Sequence, residues 1–164
     1  MPKNDASRHR APMRGAEQIQ QYCLAGNATI TLLSQKTGQR FTYRFRKKEQ
    51  TSGNPVWFIG LLAGPDNQSS YKYIGYVAGP QHRLQWSRKS CAGQDAPSWR
   101  ALLWFWRSIT ETAAIPPMLE VWHEGKCGRC GRALTVPLSI ERGIGPECWE
   151  IIGGAIEPAR MAAE

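Results

Sequence analysis

The chain has no apolar run approaching the ~18 residues that a bilayer-spanning helix needs, and its first residues contain no apolar core of the secretory type. These absences point to a cytoplasmic protein with no membrane contact. Histidine is scarce, at three residues in 164. No second histidine and carboxylate constellation surrounds the one that lies close to the cysteines, which argues against a catalytic metal site. Acidic residues are nearly missing from the first 48 positions. There Asp5 and Glu17 stand against Lys3, Arg8, Arg10, Arg14, Lys36, Arg40, Arg44, Arg46, Lys47 and Lys48, while the remaining residues carry eleven charges of each sign. The whole net charge of +8 therefore sits in the first third of the chain. An excess localised in this way suggests an anionic partner. No internal repeat is visible.

What the chain does have is enough apolar residues (41%), with seven Trp and five Tyr, to bury a core. Its length allows one moderate domain and a small metal-stapled one. Five cysteines with three of them clustered fit a reducing compartment better than a disulfide framework. Cys23 and Cys91 have no local His/Asp arrangement to activate them and read as small buried residues.

The cluster is His123, Cys127, Cys130 and Cys148, spaced H-x3-C-x2-C-x17-C. This is the ligand set of a tetrahedral structural zinc site holding one ion. Gly128 and Gly131 allow the positive φ that a knuckle requires, and Cys148 after Gly-Pro should open a short helix. The competing reading is a redox CxxC. Such a pair opens a helix after a strand, whereas this one leads into the strand-like segment 132–136. His123 competes for the fourth position with Glu124, Glu147, Glu150 and water. Four filled positions make a closed site without catalysis, so the expectation is that the protein is not an enzyme. A zinc hydrolase or nuclease would need an open position and a base, with Glu124 and Glu147 nearby.

The remaining segments predict an α+β fold: an antiparallel meander of about five strands, one long packing helix and a small C-terminal zinc knuckle of treble-clef or ribbon-like type. Residues 1–15 form a basic arm, 16–114 the sheet domain, 118–155 the zinc module and 156–164 a tail. A short helix over 16–25 precedes a hairpin over 28–46. In its second strand Phe41, Tyr43 and Phe45 face one way and Arg40, Thr42, Arg44, Arg46 and Lys48 the other. Residues 56–62 are apolar on both faces, as in a central strand. Tyr71, Tyr73 and Tyr76 mark the next strand, and residues 82–88 alternate as a fifth. Between 98 and 113, Trp99, Leu102, Leu103, Trp106, Ile109 and Ala113 form a helical stripe with Asp95 as its cap. Trp104 falls outside the stripe with Arg100, Arg107 and Glu111.

These residues give two sets of contact candidates. Arg40, Arg44, Arg46, Lys47 and Lys48 suit phosphate, with Tyr71, Tyr73 or Trp104 as stacking partners. As the alternative, Arg129, Arg132, Trp104 with its flanking Arg100 and Arg107, and the loop Gly64 to Ser70 suit a protein interface. The first set predicts a nucleic-acid-binding protein and the second a protein-binding inhibitor. Neither calls for a small-molecule substrate.

Cys127-Gly128-Arg129-Cys130-Gly131-Arg132, Leu134-Thr135, Ser139-Ile140 and Gly143-Ile144-Gly145-Pro146-Glu147-Cys148 together resemble a family of uncharacterised zinc-binding proteins encoded by phages, plasmids and related mobile elements. A weaker resemblance runs through Trp57-Phe58, Gly64-Pro65-Asp66-Asn67 and Tyr73-Ile74-Gly75. The resemblance implies metal ligands at Cys127, Cys130 and Cys148 with His123 in the fourth place. It implies a mobile-element origin but no activity; the expected roles, a nucleic-acid-binding accessory protein of a mobile element or in the alternative an inhibitor of a host system of the anti-defence type, rest on the contact candidates above.

Overall fold

The period-two segments pair in the order in which they occur. The computed structural model describes residues 12–151 apart from Ser52 and residues 65–69, 124–125 and 132–142. Strands β1 (Asn27–Ser34), β2 (Arg40–Lys48), β3 (Val56–Leu62), β4 (Tyr71–Ala78) and β5 (Arg83–Gln85) form an antiparallel meander. The fifth strand is shorter than its alternation suggests. A further strand, β6 (Leu119–His123), pairs antiparallel with β1 and completes a six-stranded sheet of order β5-β4-β3-β2-β1-β6. The window that holds the cysteine motif thus begins inside the sheet. Pairing with β6 satisfies the backbone edge that β1 would otherwise expose. Of the arm expected over 1–15, Lys3, Arg8 and Arg10 lie outside the described residues. Met13 is buried and bridges to Val121, its N–H donating to the Val121 carbonyl at 2.7 Å.

The two faces of the sheet differ. One carries Ile30, Leu32, Tyr43, Phe45, Ile59 and Val77, all buried, and receives both longer helices. Helix α1 (Ala16–Cys23) buries Ile19, Tyr22 and Cys23. Helix α2 (Pro97–Glu111) buries Trp99, Leu102, Phe105, Trp106 and Ile109. Contact between α2 and the sheet is specific: Tyr43 Oη donates to the Ser98 carbonyl at 2.6 Å, and the Phe45 and Trp106 rings lie 5.6 Å apart. Phe105 joins the buried stripe in place of Leu103, which is half-buried, and Ala113, which lies past the helix end at φ 53°. The cap is Ala96 with no side-chain bond, because Pro97 presets the first helical turn and leaves Asp95 one residue outside it.

On the other face lie the alternate residues of β2 and their cross-strand partners. Arg46 pairs with Phe58, and Phe58 with Tyr76. Phe58 is 37% exposed, so β3 is apolar on both faces without being buried on both. A register shift in the β3–β4 pairing places Gly60 opposite Tyr73 and Ile59 opposite Gly75, leaving Ile74 unpaired. This bulge moves Tyr76 onto the face of Tyr73 and turns Ile74 into the core, where it is fully buried. Strict alternation would have put Tyr76 on the opposite face from Tyr73. Among the described residues no helix is long and apolar enough to cross a membrane.

Gly75 makes the bulge compatible with the helix. A Cβ there would stand 2.8 Å from the Gln85 carbonyl oxygen and 2.8 Å from Trp99 Cζ3. Gly75→Ala is therefore expected to cost about 1–3 kcal/mol as an overpacked core site. Urea unfolding should show a lower midpoint with an unchanged slope.

Candidate functional site

The cysteine motif folds as the spacing requires. Gly131 takes φ 81° and its N–H donates to the Cys127 carbonyl at 2.9 Å, closing the turn between Cys127 and Cys130. Helix α3 (Pro146–Ile151) carries Cys148 in its first turn. The sulfurs of Cys127, Cys130 and Cys148 lie within 4.8 Å of one another, close enough to hold one metal ion. Arg129 serves this cluster from both ends: its backbone N–H points to Cys127 Sγ at 3.4 Å and its guanidinium to Cys148 Sγ at 3.5 Å. Burial pushes the Cys127 thiol up, but the backbone N–H groups of Gly145, Cys130 and Arg129, with the Cys130 side chain, outweigh it and bring Cys127 down to about 7. Burial raises Cys148; Arg129 offsets part of the rise, and the Cys130 and Cys127 side chains add to it. Three sulfurs in this arrangement compete for charge, a conflict that a cation removes.

The knuckle rests on a tyrosine from the other end of the chain. Tyr22 of α1 is buried, and its hydroxyl both donates to the Thr29 carbonyl at 2.8 Å and accepts from the Thr29 N–H at 3.2 Å. Its ring lies against two knuckle glycines. A Cβ on Gly128 would stand 2.7 Å from the ring, and one on Gly143 2.5 Å. Gly128 is thus required for close approach, and the positive φ expected of it belongs to Gly131 and Gly143 instead. The Gly128 N–H donates to the Gly143 carbonyl at 2.7 Å, and its carbonyl accepts from the Asn27 N–H, which splices the knuckle onto β1. His123 ends β6, buried, with its ring 5.5 Å from that of Tyr22. It lies beside the same tyrosine, but the group drawn together within 4.8 Å consists of the three cysteines.

Of the other contact candidates, Arg40, Arg44, Arg46 and Lys48 share the sheet face away from the helices. The Arg44 guanidinium lies over the Tyr71 ring at 4.3 Å. Lys47 is separated from them: it points to the opposite face, 5.7 Å from the Trp57 ring and 3.4 Å from Glu49. Tyr73 packs beside Phe58, ring centroids 6.2 Å apart, and its hydroxyl is 3.0 Å from that of Ser87. Arg100, Trp104 and Arg107 lie on the outer side of α2, with Trp104 51% exposed. Because α2 covers the inner sheet face, Trp104 and the tyrosines belong to opposite sides of the molecule. Arg132, Glu124 and the strand expected over 132–136 lie outside the described residues. Cys23 is buried and its thiol is pushed up by burial, whereas Cys91 is exposed, held at a loop where its N–H donates to the Tyr73 carbonyl.

Sequence reasoning missed Tyr22 and Phe58. Tyr22 appears in the sequence only as an apolar position of a short helix, and the glycines and histidine its ring meets lie more than a hundred residues away. Residues 119–153 match a protein family of unknown function, DUF6011. No curated protein and no solved structure matches the chain.

Two glycine substitutions isolate the tyrosine contact. Gly131→Ala meets nothing closer than Asn27 Nδ2 at 3.8 Å, so it carries only the left-handed backbone cost of roughly 1–2 kcal/mol. Gly143→Ala carries the same cost plus the collision with Tyr22. It should lower the thermal midpoint clearly further than Gly131→Ala in the same melt; equal shifts would remove Tyr22 as the support of the knuckle.

Proposed function

We propose that the protein binds nucleic acid through the open face of its sheet, with a single structural zinc ion holding the C-terminal knuckle. The observation that carries this reading is the line of Arg40, Arg44, Arg46 and Lys48 on one exposed face of β2, in the third of the chain that holds the whole net positive charge. Same-face residues of a strand recur about every 6.8 Å, the interval of Arg44, Arg46 and Lys48, with Thr42 between Arg40 and Arg44, and cations so spaced attract a line of negative charge laid along them. A polyanion supplies that charge. The knuckle is nearly balanced in charge and acts as a clamp.

For the metal, three thiolates favour zinc among common cellular ions. Cys127, Cys130 and Cys148 supply them, and His123 is assigned the fourth position from its spacing and from its burial beside Tyr22. A closed set of protein ligands leaves no place for an activated water, so the proposed role is binding, not catalysis. The resemblance of the cysteine motif to proteins of mobile elements supports reading the protein as an accessory of such an element.

The exposed Trp104 between Arg100 and Arg107 supports a second reading, a protein-binding inhibitor of a host system that docks through α2. A host protein that co-purifies after nuclease treatment, and is lost in Trp104→Ala, would favour it.

For the first reading, affinity for a generic oligonucleotide should fall steeply with salt, with a log–log slope of roughly −3 for four phosphate contacts. Each of Arg46→Ala and Lys48→Ala should reduce the slope by about 0.7–0.9. No binding at low salt, or no salt dependence, overturns it. For the metal, elemental analysis should find one zinc per chain, absent from Cys130→Ser and His123→Ala. A chelator that removes ~3 kcal/mol of linked stability should lower the melting temperature by roughly 6–12 °C.

A further inference from the structure

The sheet face offers more than charge. Beside the β2 cations, the bulge at Ile74 brings Phe58, Tyr73 and Tyr76 to one surface, where they line an open depression of about 690 Å³. Ser87, Arg88 and Lys89 line its other side, and among the described residues no acidic side chain does. The aromatic strip on β3 and β4 thus runs between two basic margins, the β2 ladder and Arg88 with Lys89.

From this arrangement we infer that the depression is a base-stacking site for single-stranded nucleic acid; the inference rests on the nucleic-acid reading above and specifies its ligand class. A duplex presents phosphates on its outside and keeps its base faces stacked within, so it can use the cations but not the rings. A single strand can use both, with phosphates along a basic margin and splayed bases on the aromatic strip. Neighbouring strands lie about 4.8 Å apart, so the rings of β3 and β4 stand one and two strand spacings from the β2 cations. A nucleotide spans that separation between its phosphate and its base. Tyr71 has a different task. Gly60, whose added Cβ would stand 3.1 Å from Tyr71 Cβ, leaves the gap across which the Arg44 guanidinium reaches that ring. Tyr71 therefore holds a phosphate-binding cation in place, while Phe58, Tyr73 and Tyr76 take the bases.

Fluorescence anisotropy of the full chain with a labelled oligothymidylate of about 15 nucleotides, and with a duplex of equal length at matched salt, tests this. The single strand should bind at least about tenfold tighter than the duplex. Phe58→Ala should weaken single-strand binding about tenfold with an unchanged salt slope and unchanged duplex affinity, and Phe58→Trp should restore it. Phe58 is 37% exposed and packs beside Tyr73, so Phe58→Ala should lower the melting temperature by a few degrees at most and Phe58→Trp should restore it, both variants being folded at the assay temperature. Equal affinity for single strand and duplex, or single-strand binding indifferent to Phe58→Ala, overturns the stacking site while salt-dependent binding leaves the phosphate-contact reading standing. No oligonucleotide binding at all, or Phe58-dependent capture of a host protein after nuclease treatment, overturns both.

Discussion

The ring of Tyr22, wedged against Gly128 and Gly143 with its hydroxyl closed on the backbone of Thr29, joins parts of the chain that are far apart in sequence. It belongs to α1, hydrogen-bonds β1, carries the two arms of the cysteine knuckle and touches His123 at the end of β6. A bare glycine on each arm is the condition for that contact. Side chains there would push the arms off the ring and with them the sulfurs they position. The metal cluster is thus held by packing as well as by its own turns, and Asn27 and Gly128 continue the junction as a backbone bond.

The same junction explains the shape of the sheet. Once the knuckle sits on α1 and β1, the segment entering it must run beside β1, and β6 does so as the sixth strand. Both longer helices then lie on the face that Tyr22 helps to cover. The opposite face carries alternate cations of β2 and, through the bulge in β4, the aromatic strip. Division of labour follows from this geometry: one face and the knuckle provide cohesion, and the other presents charge and rings. Trp104, on the outer side of α2, stands apart from both.

Much of this architecture was legible in the residues. The alternation in β2 correctly separates Tyr43 and Phe45 from Arg44 and Arg46, because period two follows directly from strand geometry. The x2 spacing and Gly131 announce a turn that brings two sulfurs together, and Gly-Pro announces the helix that carries Cys148. Local rules also explain where the reading failed. Asp95 is a good cap in isolation, but Pro97 sets the helix start. Phe58 looks buried because apolar composition cannot distinguish a covered face from an open one. Cys91 looks like a core residue for the same reason.

By itself the sequence determined the five strands of the meander, the long helix, the cysteine cluster and the placement of charge, since each depends on spacing within a few residues or on simple counting. Only the tertiary structure decided that β6 joins the sheet, that Tyr22 fills the space left by Gly128 and Gly143, and that Tyr76 shares a face with Tyr73. Each of these depends on a contact between distant segments or on one unpaired residue. Their cause is excluded volume: which atoms can occupy the same few ångströms is settled between segments, and no periodicity along the chain records it.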